Sequence, residues 1–374
     1  MPNPIRVMAV CGTRPDAIKM APVVRTLQQH SAFTVRLVAT GQHREMLDQV
    51  LRLFNLEPDA DLNIMIPHQT LTEITTRTLE GLDKLLREYP ADVVLAQGDT
   101  TTTFAAALAA FYHRIPFGHV EAGLRTYDKY QPFPEEINRR LTAPLADFHF
   151  APTETARQNL LHEHIPAERV WITGNTGIDA VLWMAQQPYE PTDPALQRAL
   201  SHSGRLLLLT THRRENWGAP MENIARAARE LLNRFEDVLL LLPMHRNPRV
   251  RETLTATLGD QPRALLTEPL DYAPFVHAMR RADLILTDSG GVQEEAPAFG
   301  KPILVLRETT ERPEGVEAGA AKLVGTDTER IVAEATRLLT ASDAYAQMAR
   351  AVNPYGDGRA AERIRDILLR EFRL

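Results

Sequence analysis

Ile5-Arg6-Val7-Met8-Ala9-Val10-Cys11-Gly12-Thr13-Arg14-Pro15-Asp16-Ala17-Ile18-Lys19 carries the fold class of this chain. Ile5–Val10 is apolar at nearly every position, the pattern of a strand covered on both faces rather than one facing water. Gly12 and Thr13 allow a tight turn, and Pro15 suits the first turn of a helix expected over Ala17–Gln29. A buried strand running straight into a helix is the first half of a parallel βα unit. The same alternation recurs. Further strands are expected at Val35–Ala39, Val93–Ala96, Phe117–Val120, Phe148–Ala151 and Val170–Thr173, with helices at Glu45–Phe54, Leu71–Tyr89, Thr103–Tyr112 and Glu135–Leu145.

The pattern breaks at Gln187-Pro188-Tyr189-Glu190-Pro191-Thr192-Asp193-Pro194, whose three prolines and lack of periodicity read as a linker at 188–194. A second series follows. Its strands are Leu206–Thr210, Val238–Leu242, Ala264–Leu266, Leu284–Thr287 and Ile303–Leu306. Its helices are Met221–Phe235, Tyr272–Arg281, Gln293–Phe299 and Thr328–Leu339. The expected fold is therefore α/β, with two Rossmann-like doubly wound domains, 1–187 and 195–355, facing a central cleft. Ligands bind open α/β sheets at strand C-termini. The amphipathic stretch Ala360–Phe372 could pack on either domain.

Composition removes several classes of function. Net charge is −6, from 42 basic and 48 acidic residues, with no basic tract, so a nucleic-acid partner is not expected. No apolar run approaches the ~20 residues of a membrane span. The opening Met1-Pro2-Asn3-Pro4 has none of the features of a secretion signal, and Cys11 is the sole cysteine, so a cytoplasmic setting is expected. Cys11 reads as a small apolar residue. Neither a Gly-x-Gly-x-x-Gly nor a Gly-x-x-x-x-Gly-Lys-Ser/Thr loop is present, so no nucleotide cofactor is implied. Asp59-Ala60-Asp61 reads as a polar turn after Pro58 rather than a metal site. No metal is expected, and none of the five lysines has the apolar context of a Schiff base.

Polar residues gather just after strands. Arg14 and Lys19 bracket the first helix N-terminus, an end that favours anions. Gln97-Gly98-Asp99-Thr100 follows one strand, and Glu121 ends another within His119-Val120-Glu121-Ala122-Gly123. Glu135 and Arg139 lie four apart in Pro134-Glu135-Glu136-Ile137-Asn138-Arg139 and share a helix face. Asp99, Glu121 and Glu135 thus converge on one sheet edge, where differing environments can divide acid from base roles. In the second domain, Thr211-His212-Arg213-Arg214-Glu215-Asn216 follows the first strand. Ser289, Gly290 and Gly291 offer backbone N–H groups to a diphosphate. Glu295 suits a ribose diol, and Arg312 suits phosphate. These residues point to a two-domain enzyme acting on a nucleotide-diphosphate compound.

These motifs, together with Gly12-Thr13-Arg14-Pro15, Asp288-Ser289-Gly290-Gly291 and Thr310-Glu311-Arg312-Pro313, resemble in order and spacing those of the non-hydrolysing UDP-N-acetylglucosamine 2-epimerases. The resemblance implies the GT-B fold of two-domain nucleotide-sugar glycosyltransferases and a cytoplasmic homodimer. It implies no cofactor, and a UDP-sugar substrate inverted at C2 through elimination of UDP and its re-addition. It also implies catalytic roles for Asp99, Glu121, Glu135 and His212. Arg14, Phe275, Ser289, Gly291, Glu295 and Arg312 would hold UDP, beside Lys19 and Arg139. Gln42, Glu136, Arg213 and His245 match a second, activating substrate site of some bacterial members, although Glu45 and His68 depart from that pattern, standing where those members have Gln and Arg. The residues leave open a hydrolysing relative, an epimerase of a modified sugar such as a diacetamido uronate, and a metal-independent glycosyltransferase.

Overall fold

The computed structural model describes residues 3–41 and 44–372. The chain divides into two compact units, Met1–Ala180 with Gly356–Leu374, and Val181–Tyr355. The division falls within a helix, α7 (Thr176–Gln186), rather than in the proline-rich stretch.

The first unit holds a seven-stranded parallel sheet of order β3-β2-β1-β4-β5-β6-β7. Its strands are β1 (Ile5–Cys11), β2 (Phe33–Ala39), β3 (Ala60–Asp61), β4 (Val93–Gln97), β5 (Phe117–Val120), β6 (Phe148–Ala151) and β7 (Val170–Ile172). Its helices are α1 (Arg14–Gln28), α2 (Arg44–Leu53), α3 (Leu71–Glu88), α4 (Thr101–Tyr112), α5 (Glu135–Thr142), α6 (Glu154–His162) and the start of α7 (Thr176–Gln186). Met8, Val10, Val94 and Ala96 pack with Leu82 and Leu86 of α3 and Ala106 and Ala110 of α4. Their neighbours Val7, Ala9, Val93 and Leu95 point to the opposite face and are equally buried, as the period of two requires.

The second unit holds a six-stranded parallel sheet of order β10-β9-β8-β11-β12-β13. The strands are β8 (Arg205–Thr210), β9 (Val238–Pro243), β10 (Ala264–Thr267), β11 (Leu284–Thr287), β12 (Ile303–Val305) and β13 (Ala321–Leu323). The helices are α8 (Pro194–Ser201), α9 (Ala219–Arg234), α10 (Pro248–Leu258), α11 (Tyr272–Arg281), α12 (Gly290–Glu295), α13 (Pro313–Glu317), α14 (Thr328–Thr340) and α15 (Ser342–Ala349). Leu207, Leu209, Leu240, Leu242 and Leu286 make one core with α9, α10 and α14. In both sheets strand order reverses beside the first strand. The reversal points lie at β1/β4 and β8/β11, where loops after neighbouring strands diverge and leave a crevice.

Two expectations change, and one left open is decided. Ala60–Asp61 is not a turn but a short edge strand, aligned with Val38 and Ala39. Asp59 clamps it, since its carboxylate accepts from Leu37 N at 2.7 Å. The helix expected at Gln293–Phe299 starts at Gly290 and tightens to a 3₁₀ turn over Ala296–Phe299. The last helix, α16 (Ala360–Glu371), packs on α1 in the first unit. Asp179 on α7 caps it, accepting from Ala360 N at 3.2 Å and Ala361 N at 2.8 Å. No helix among the described residues is long and apolar enough to cross a membrane.

Candidate functional site

In the first unit two of the expected carboxylates, Asp99 and Glu121, stand just after the C-terminal ends of β4 and β5, and the third, Glu135, opens α5. Glu121 is 8% exposed and has φ of +65°, a left-handed conformation that a non-glycine residue holds only at a cost of about 1–3 kcal/mol, a strain often found at active sites. Its Oε1 pairs with Lys19 Nζ and accepts from Asn175 Nδ2 at 3.2 Å, while Oε2 accepts from Gln97 Nε2. Gly98, φ +78°, turns the chain beneath it. His119 Nε2 lies 2.7 Å from the Gly98 carbonyl, and burial drops this imidazole to about 4, so it is neutral near pH 7 and donates to that oxygen.

Asp99 follows Gly98 and is half-buried. Its carboxylate lies 3.6 Å from Arg139 Nη1, and Asn138 Nδ2 donates to its carbonyl at 3.0 Å. Arg139 therefore turns to Asp99 and, through Nε at 3.0 Å, to Glu136, rather than to Glu135. Glu135, half-buried on the first turn of α5, has no hydrogen-bond or ion-pair partner among the described residues. Glu136 is fully buried, and its oxygens accept from Thr126 N and Tyr127 N, each at 3.0 Å. That carboxylate is consumed in holding the 126–127 loop.

The loop after β1 is anchored by Asp16. It accepts from Gly12 N at 3.2 Å, Thr13 N at 3.1 Å, Thr13 Oγ1 at 2.7 Å and, across the reversal point, Thr100 Oγ1 at 3.3 Å. Burial raises this carboxyl to about 6 despite those bonds. Gly12 is required here, since a Cβ would fall 2.4 Å from Thr102 Oγ1. Arg14 is half-buried beside it and has no ion-pair partner among the described residues. Lys19, expected beside the substrate, is bound to Glu121. Burial pushes the Cys11 thiol up, leaving an inert apolar residue.

In the second unit the hub is Asp288, fully buried after β11. It accepts from Thr211 Oγ1 at 2.9 Å, His212 N at 2.9 Å, Arg213 N at 3.0 Å and Asn216 Nδ2 at 3.0 Å. His212 Nδ1 lies 3.0 Å from its other oxygen. Burial opposes its charge, but the His212 side chain and the backbone N–H groups outweigh it and hold the carboxyl below the usual range. The bond fixes the ring of His212, which is two-fifths exposed and 6.1 Å from that of His245.

Gly290 and Gly291 open α12. An added Cβ would meet nothing nearer than Arg213 Nη2 at 3.7 Å and Ser289 Oγ at 4.0 Å, so both backbones face open space that a ligand could enter. Arg213 Nη2 also lies 3.6 Å from Glu311. Arg312 is oriented by Glu294. Its backbone N–H bonds Thr310 Oγ1 at 3.0 Å, which in turn donates to Gln293 at 2.6 Å. Glu295 and Phe275 are half-buried on α12 and α11, and His245 is exposed after β9. Gln42 lies outside the described residues.

Sequence reasoning assigned no role to Gln97, Asn175, Asp288 or Glu294. The first three obey the rule that marked the others, polar residues at strand C-termini. Glu294 carried no such mark, because its partner Arg312 lies 18 residues away on another loop.

A family model described as UDP-N-acetylglucosamine 2-epimerase matches residues 25–369. The UDP-N-acetylglucosamine 2-epimerase of Yersinia pestis is 54% identical over 365 residues, covering 96% of this chain and 97% of that protein. A crystal structure of a UDP-N-acetylglucosamine 2-epimerase is similar with a TM-score of 0.93 and 51% identity, over 99% of this chain and 97% of that one. The Neisseria meningitidis UDP-GlcNAc 2-epimerase bound to UDP-GlcNAc is similar with a TM-score of 0.83 and 48% identity, over 98% and 100%. The expected glycosyltransferase-like fold of two parallel-sheet α/β domains is shared with these structures. With a family model spanning nearly all of it and half its residues identical to full-length relatives, the chain belongs to the UDP-N-acetylglucosamine 2-epimerase family.

Proposed function

We propose that the chain interconverts UDP-N-acetylglucosamine and UDP-N-acetylmannosamine without net hydrolysis. The observation that carries this reading is the strained, buried Glu121, bound by Lys19, Gln97 and Asn175 and next in the fold to Asp99. Simple transfer of a sugar to an acceptor needs no such set of carboxylates. Inversion at C2 does, because that proton has no neighbouring carbonyl and is barely acidic. Breaking the C1–O bond as the C2 proton leaves avoids a carbanion. UDP departs with the electron pair, and a C1–C2 alkene, 2-acetamidoglucal, remains. UDP then re-forms the bond to C1 while a proton reaches the other face of C2.

Asp99, Glu121 and Glu135 are the groups for proton transfer and for stabilising the cationic transition state. Gly290 and Gly291 offer N–H groups to the diphosphate and Ser289 its hydroxyl, the Ser289 N–H being bound to Thr287 Oγ1 at 3.0 Å. Arg312, aimed by Glu294, and Arg14 add positive charge, Glu295 binds the ribose, Phe275 packs at the uracil, and oriented His212 assists at the diphosphate. Loss of the glucal to water is prevented by holding it beside UDP. Proton NMR of UDP-GlcNAc with enzyme in D2O tests the reading. A second anomeric signal with deuterium at C2 of both sugars is expected. Free N-acetylmannosamine with stoichiometric UDP would replace it with hydrolysis, and an unchanged spectrum would overturn it.

A further inference from the structure

We infer that Gln97 and Asn175 are positioning residues that hold Glu121 as a fixed, charged acceptor, so that Glu121 serves as the stationary electrostatic group and not as the carrier of the exchanged proton. The inference deepens the proposed function and rests on Glu121 being a catalytic carboxylate there.

The geometry leaves little choice of orientation. Asn175 Oδ1 accepts from Gly177 N at 2.8 Å, and a backbone N–H can only donate. The amide is thereby locked with Nδ2 toward Glu121 Oε1 at 3.2 Å. Gln97 presents Nε2 to Oε2 from the end of β4. Lys19 supplies the cation at Oε1. All three contacts are donors, and donors bond the carboxylate rather than its protonated form. Gln97 and Asn175 are each 3% exposed, so no water competes for their amides. They come from β4 and from the start of α7, and so grip the carboxylate from two elements while the left-handed backbone of Glu121 fixes its base. Glu135 differs in every respect. It is half-buried on a helix turn and has no bonded partner among the described residues, which suits a group that must gain and lose a proton.

The test is a double-mutant cycle on the full-length enzyme, with kcat and KM for UDP-GlcNAc, UDP affinity by calorimetry, and the melting temperature. Glu121→Gln is expected to lower kcat at least 1000-fold, by analogy with removal of a core catalytic group. Gln97→Met and Asn175→Ala are each expected to lower kcat by roughly 10- to 100-fold, the value of a hydrogen bond to a charged group, with KM and UDP affinity within about threefold. In the Glu121→Gln background neither should cost more, because the group they position is already gone. Near-normal activity of Glu121→Gln would overturn both the catalytic reading and this inference. A large Glu121→Gln defect with near-normal Gln97→Met and Asn175→Ala would overturn the inference alone. So would losses that remain fully additive in the Glu121→Gln background or that track a fall in melting temperature, since those mark a merely structural role.

Discussion

Each unit ties together the two loops at its sheet's reversal point with one buried aspartate, and the two aspartates do it from opposite sides. In the first unit Asp16 sits after β1 and reaches across to Thr100 after β4. In the second Asp288 sits after β11 and reaches back to Thr211, His212, Arg213 and Asn216 after β8. Both take several hydrogen bonds and both are buried. Yet Asp16 is raised to about 6 and Asp288 lies below the ordinary range. The difference is the donor set. Hydroxyls and backbone amides do not offset the burial of Asp16, whereas the imidazole of His212 tips the balance at Asp288. Burial and hydrogen bonding alone do not fix a carboxylate's electrostatics; the kind of donor matters.

That contrast can be broken by substitution. Asp288→Asn should cost about 3 kcal/mol and lower the melting temperature by roughly 6–10 °C, because it strips the charge from a buried hub whose donors remain. It should also lower kcat/KM by freeing the His212 ring. Asp16→Asn should cost about 1 kcal/mol near pH 7, where the native carboxyl is itself unfavourably charged.

Their pH trends should have opposite signs. Asp16 binds its proton more tightly folded than unfolded, so the native protein gains stability as pH falls from about 6 toward 4, and the asparagine variant does not. Its deficit should widen on acidification. Asp288 is depressed, so its contribution is present above the ordinary aspartate range and is lost as pH falls through the folded value. The Asp288→Asn deficit should therefore narrow in acid. Melting curves from pH 7 to about 2 that moved both deficits in one direction would remove the distinction.

A smaller effect sharpens it further. His119 and His149 lie side by side on β5 and β6, lowered by burial to about 4 and about 3. Their stabilisation is complete above about 6.5 and is lost as pH falls toward those values, because the unfolded chain takes protons that the folded one refuses. His149→Phe should make the melting temperature less acid-sensitive, by about 2 kcal/mol between pH 7 and 5. The smallest change expected is at Asp179→Ala. It uncaps α16 for about 1 kcal/mol and should show as faster amide exchange at Ala360 and Ala361.

The central strands were legible because parallel strands buried on both faces read as continuous apolar runs, as in Leu206–Leu209 and Val238–Leu242. Ala60–Asp61 was not, since a two-residue edge strand is made by its neighbour's register and by Asp59, and its own composition is that of a turn. Among the candidate site residues, Asp99, Glu121 and Glu135 stood out because an acid at the end of an apolar strand or beside a proline turn is conspicuous. Gln97 and Asn175 carry no charge and so drew no notice, although they grip Glu121 directly. Spacing alone could not name the partners of Arg139. The i to i+4 offset favours Glu135, but the tertiary fold brings Asp99 and Glu136 closer.

The return of α16 to the first unit has a consequence for synthesis. The segment Gly356–Leu374 is made after the whole of the second unit, yet it belongs to the unit begun first. While the ribosome is still elongating, the first unit lacks the helix that covers α1, whereas the uninterrupted second unit has all its residues once Tyr355 has emerged. The usual order of domain completion from the N-terminus is reversed. Loss of α16 would therefore be felt at α1 in the first unit and not in the second unit that precedes it in the chain.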